Sequence, residues 1–167
     1  MDNIKKIYFD MDGVLVDFNR GVEELAHTKP INQSNENEEL TNAMWNEIKK
    51  VDSFYYKLKP LTKGLEVFME LKNKYPSKVE ILSAIPKPKR GIVDADEDKR
   101  KWVKEHIDDD TIVNIVYKEE KKNFCLGKEY VLIDDLDRNI NDWISSGGSG
   151  ILYKEDTDIL KELNDLN

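Results

Sequence analysis

Short apolar runs alternate along this chain with longer segments whose apolar residues recur every three or four positions. Five runs, at residues 7–9, 79–82, 112–116, 130–133 and 150–153, have the length and continuous hydrophobicity of strands buried on both faces. Leu61, Leu65, Phe68 and Met69 share one face of a helix between two of them. Trp102, Val103 and His106 repeat the spacing within 98–107, and Ile140, Trp143 and Ile144 define a shorter helix that stops at the glycines of "SSGGSG". Strands alternating with helices predict an α/β fold, a Rossmann-like parallel sheet with helices on both faces.

The alternation breaks once. More than forty residues separate Asp17 from Pro60 without a strand pattern. Helices are expected at 18–27 and 40–50, and the polar stretch "NQSNENEE" between them reads as an exposed, mobile loop. An insertion directly after the first strand sits on the sheet edge where such folds bind ligands. It predicts a small helical cap, residues 18–59, over a core made of residues 1–17 and 60–167.

That edge is rich in chemistry. The residues following the strands are Asp10 and Asp12, then Ser83, then Asp134 and Asp135, with Lys121 and Lys122 just before the fourth strand. Four carboxylates at one edge repel one another unless a cation lies among them. Oxygen-only ligands favour Mg²⁺, which commonly shares its sphere with a substrate phosphate. One carboxylate of the first pair then binds the metal and attacks a phosphoryl group to form an aspartyl phosphate, and the other moves protons. An EF-hand reading fails, because it needs Gly at the sixth loop position and Glu at the twelfth, where Gly13 is the fourth and Gly21 the twelfth.

Composition narrows the partners. The formal net charge of −8 opposes non-specific binding to nucleic acid polymers or anionic membranes, while leaving room for a small phosphorylated substrate held by local cations. The single cysteine, Cys125, excludes an intramolecular disulfide and favours a reducing compartment. No secretory signal or bilayer span is legible, so a cytoplasmic location is expected. The oligomeric state stays open, a homodimer being one option.

The segments "DMDGVLVD", "ILSA", the "KK" before a strand, and "LIDD" resemble, in this order, the four motifs of the haloacid-dehalogenase-like hydrolase superfamily. Within it the chain is most similar to the 5'(3')-deoxyribonucleotidase family, through "MWNEIKKVDSFYYKLKPLTKGLEVF", "KWVKEH" and "LIDDLDRNI". The resemblance implies Mg²⁺-dependent dephosphorylation of deoxynucleoside monophosphates. It makes Asp10 the nucleophile and Asp12 the acid/base, whose carbonyl also faces the metal. It makes Asp135 the direct metal ligand, with Asp134 beside it or sharing the role. Ser83 and Lys122 bind phosphate, with Lys121 the competitor for the lysine's place, and Phe18 packs near the nucleobase. The cap lacks the family's aromatic pair, and Leu136 stands where an arginine is common. A phosphatase for another small phosphate ester, a phospho-accepting regulatory module, and a binding protein without turnover are the alternative functions.

Overall fold

The computed structural model describes residues 1–32 and 35–167. Strands β1 (Lys6–Phe9), β2 (Val79–Ala84), β3 (Val113–Val116), β4 (Tyr130–Asp134) and β5 (Ser149–Leu152) form one parallel sheet in the order β3-β2-β1-β4-β5. β1 is central, paired with β2 through Ile7 and Val79 and with β4 through Ile7 and Val131. The carboxyl ends of β1, β2 and β4 therefore lie side by side, which brings together residues far apart in sequence.

Side chains alternate across the sheet, as strand geometry requires. Ile7 and Phe9 enter the main apolar core, while Tyr8 points to the other face and joins Leu82, Leu132, Ile140 and Trp143. Helices α3 (Thr62–Lys74), α4 (Ala95–His106) and α5 (Asp137–Ser145) each follow an amphipathic stripe seen in the sequence. Gly147, at φ +94°, makes the stop expected after α5. Helix α6 (Ile159–Leu166) and two 3₁₀ segments, Pro88–Arg90 and Lys118–Phe124, were not expected from the pattern.

Residues between β1 and α3 form α1 (Phe18–Glu24) and α2 (Glu38–Ile48). Of the polar stretch read as a mobile loop, residues 33–34 lie outside the described residues. Its last two, Glu38 and Glu39, begin α2, where the Asn37 side chain accepts a hydrogen bond from the Leu40 amide. The underside of this segment is apolar: Phe18 packs against Trp45, Phe54 and Tyr55. That cluster is continuous with the main core, and Trp102 of α4 donates its indole N–H to the Leu58 carbonyl at 2.8 Å. Arg90, in the loop after β2, stacks its guanidinium over Trp45 and bonds Asn42.

Candidate active site

A tight loop follows β1. The Met11 carbonyl accepts from the amides of Val14, Leu15 and Val16, so the chain folds back directly after Asp10 and holds Asp12 beside it. Gly13 permits this at φ +79°, and a side chain there would strike the Asp135 carboxylate, since an added Cβ falls 2.0 Å from Oδ2. The glycine of "DMDG" therefore makes room for the acid at the end of the fourth motif.

Asp10 is nearly buried. Its Oδ1 pairs with Lys121 Nζ at 3.0 Å. Burial, followed by the charges of Asp134 and Asp12, pushes the Asp10 carboxyl up to about 7 against the pull of Lys121 and Lys99. Burial pushes Asp135 up to about 8, reinforced by Asp10, Asp134 and Asp12. Burial opposes the charge on Lys121, yet Asp10 and Asp134 outweigh it and hold the ammonium above its ordinary value.

Asp134 is engaged on all sides. Its Oδ1 accepts from the Leu136 amide at 3.0 Å, and its Oδ2 accepts from Lys121 at 2.7 Å and Asn139 Nδ2 at 2.9 Å. Its neighbour Asp135 makes no ion pair among the described residues. Asp134 is thus set to position Lys121, and Asp135 is the freer oxygen donor. Oxygens of Asp10, Asp134 and Asp135 lie within 4.8 Å of one another.

Lys122, chosen on spacing as the phosphate-binding lysine, is not at this cluster. It is exposed, and Lys121 takes the place between Asp10 and Asp134. The reason is local: the charged run winds as a 3₁₀ segment, so Lys118, Lys121 and Phe124 repeat every third residue on one face. Phe124 anchors that face by packing edge-on against Tyr8.

The sequence reading also missed Lys99, on α4. It is 1% exposed, and its ammonium contacts Asp12 Oδ2 at 2.9 Å, Ser83 Oγ at 2.8 Å and the Ala84 carbonyl at 2.8 Å. The Tyr55 ring closes over it at 4.7 Å. Lys99 ties the loop after β1 to the end of β2, and Ser83, fully buried, reaches the acids through it. Asp12 Oδ1, by contrast, is buried without a hydrogen-bond partner.

Part of this cluster opens on a cavity of about 840 Å³. Asp10, Asp12, Lys121 and Asp135 line its base, while Phe18 and Ile31 line the side formed by residues between β1 and α3. When all four acids are ionised, their charge against the two ammoniums of Lys99 and Lys121 leaves two negative charges, the complement of one divalent cation. The all-oxygen donor set and the upward-shifted Asp10 and Asp135 fit such an ion.

The family model for "5' nucleotidase, deoxy (Pyrimidine), cytosolic type C protein" matches residues 3–163. The chain belongs to this nucleotidase family. As a family member of the HAD-like superfamily it is a phosphoric monoester hydrolase, which sets aside the regulatory and turnover-free readings. None of the curated proteins matches it. Among solved structures, this nucleotidase-family chain is similar in fold to a HAD hydrolase, family IA, variant 3, from Entamoeba histolytica, at 16% identity and TM-score 0.53, covering 96% of this chain and 89% of that one. The HAD family enzyme bt-2542 of Bacteroides thetaiotaomicron, solved as a magnesium complex, gives 18% identity and TM-score 0.53, covering 96% and 98%. A HAD-superfamily hydrolase from Ehrlichia chaffeensis gives 15% and 0.52, covering 98% and 96%. Among the described residues of this nucleotidase relative, no helix is long and apolar enough to cross a membrane.

Proposed function

We propose that the protein is a Mg²⁺-dependent phosphatase of deoxynucleoside monophosphates, working through an aspartyl phosphate on Asp10, with residues 18–59 acting as a cap that shapes the substrate cavity. The observation that carries this reading is the arrangement of one loop. Asp10 has Oδ1 held by Lys121 and lines the cavity, while Asp12 has Oδ2 held by Lys99 and a free Oδ1.

In the first half-reaction an Asp10 oxygen attacks phosphorus as the bond to the nucleoside oxygen breaks. Asp12, protonated, gives its proton to that departing oxygen. In the second half, Asp12 takes a proton from water as the water attacks the phosphorus, releasing phosphate and restoring Asp10. Lys121 holds Asp10 in place and offers positive charge to the phosphoryl oxygens, and Lys99 orients Asp12. Ser83 supports the phosphate side through Lys99.

A bound Mg²⁺ would be held by Asp10, Asp135 and the Asp12 carbonyl, with Asp134 beside them, and would supply charge neutralisation between carboxylates and phosphate. The magnesium in the complex of bt-2542 supports that choice of ion. Phe18, which is 5% exposed and lines the cavity, gives an apolar side wall suited to a nucleobase. Membership of a family described as cytosolic supports action in the cytosol. Phosphate release with Mg²⁺ from 5'- and 3'-mononucleotides, ribo and deoxy, beside sugar phosphates, tests the reading. Preference for deoxynucleotides is expected; equal or better rates on sugar phosphates would reject the nucleotide as substrate.

A further inference from the structure

One cation on the cavity wall has no role in this chemistry. Lys118 is half-buried, and among the described residues it makes no hydrogen bond or ion pair. Every other described lysine that is shielded from solvent is engaged: Lys6 with Glu80, Lys72 with Asp108, Lys78 with the carbonyls of Met1 and Ile4, and Lys99 and Lys121 with the site acids. Its position is not accidental in geometry. In a 3₁₀ segment side chains three apart eclipse, so Lys118 stands over Lys121, about 6 Å further along the axis. Both line the cavity, together with Leu136 and Asn139.

A second unpaired cation lies close by. Arg138, in the first turn of α5, is exposed and makes no ion pair among the described residues, and α5 begins at Leu136 without a side-chain cap. Burial, then the charge of Arg138, draws the Lys118 ammonium below its ordinary value. The negative charge of Asp134 and Asp142 offsets this only in part, and Lys121 adds to it. An anion between the 3₁₀ segment Lys118–Phe124 and α5 would relieve the repulsion between these cations and satisfy the amides that open the helix.

We propose that Lys118 and Arg138 form a second anion subsite beside the phosphoryl site, and that the preferred substrate carries a second anionic group, a phosphate or a carboxylate. Lys118 opens on the same cavity as Asp10, so one ligand reaches both, while Arg138 adds its charge from the helix packed against the 3₁₀ segment. The proposal rests on the phosphatase reading above and extends it to substrate class.

Its test is a ratio of kcat/KM values within each protein variant, so that a general loss of folding or chemistry cancels. Two pairs are compared: a deoxynucleoside 5'-monophosphate with its 3',5'-bisphosphate, and glycerol phosphate with phosphoglycerate. In the wild type the member with the extra anion is favoured about tenfold in at least one pair, as one charge-assisted hydrogen bond supplies. Lys118→Met brings that ratio near one, Lys118→Gln lowers it, and Lys118→Arg retains it. Preference in the nucleotide pair identifies a second phosphate as the group bound. Preference in the glycerol pair alone supports the subsite with a carboxylate while overturning the nucleotide reading. No preference in either pair, or a preference that survives Lys118→Met, overturns the subsite.

Discussion

Stripping divalent cations from this protein should make its stability fall as pH rises from 5 to 8. Asp10 and Asp135 are held at about 7 and about 8 in the metal-free fold, while an unfolded chain ionises aspartate near 4. Between those values the folded state binds more protons than the unfolded one, so stability is complete below about pH 4 and is lost as pH climbs through 7 and 8. For Asp10 alone, the part of that loss falling between pH 5 and about 7 corresponds to roughly 3 kcal/mol. In a chain of this size that lowers Tm by roughly 10 °C. Asp98, also raised by burial, slopes the same way but does so in every sample compared, so the change on adding Mg²⁺ or on Asp10→Asn reads the site acids. Asp108 is pushed up by burial, but the hydrogen bonds from Lys72 and Thr111 outweigh this and bring it down to about 2, so its stabilising share is lost below pH 4. Calorimetry of chelator-treated protein at pH 5 and pH 8, repeated with added Mg²⁺ and with Asp10→Asn, reads the slope. Both additions should flatten it. A chelated wild type as stable at pH 8 as at pH 5, or a slope unchanged in Asp10→Asn, would show that the fold does not hold these acids protonated.

Replacing Lys121 by Met should abolish activity and cost about 3–5 kcal/mol, because Asp10 and Asp134 are left buried without their cation; Lys122→Met should change Tm by under about 2 °C, and comparable losses in the two variants would contradict the placement. Gly13→Ala forces a side chain onto Asp135 at positive φ, so turnover and Mg²⁺ affinity should each fall at least about tenfold, measured by kinetics and titration calorimetry. Asp12→Asn keeps the loop but removes the proton carrier, and steady-state turnover should drop by at least about a hundredfold; normal turnover would remove Asp12 from that role.

Much of this architecture is legible in the sequence, because it rests on local signals. Each of the five apolar runs became a strand with ends shifted by no more than two residues, since both faces of a central parallel sheet must be apolar. Asp10, Asp12, Asp134 and Asp135 were readable because strand ends meet at one edge. Lys99 was overlooked, although its spacing carried a clue. Ala95, Lys99, Trp102 and Val103 fall at i, i+4, i+7 and i+8, which puts a lysine in the buried stripe of α4. A charge on the apolar face of a helix requires a partner, and here the partners are Asp12 and Ser83. The choice between Lys121 and Lys122 depended on a period of three rather than 3.6. A run as charged as "KEEKKN" hides that period until Phe124 is seen to anchor it. Helix α6 escaped because Ile159, Leu160 and Leu163 offer barely two turns of pattern among acids.

An aspartyl phosphate on Asp10 would be directly visible. Rapid acid quench of the enzyme during turnover of a deoxynucleoside 5'-monophosphate with Mg²⁺, followed by peptide mass spectrometry, locates any covalent phosphoryl group. It is expected on Asp10, with neither the adduct nor phosphate release in Asp10→Asn. A phosphoryl group found on another residue, or substantial phosphate release by Asp10→Asn, would contradict that assignment.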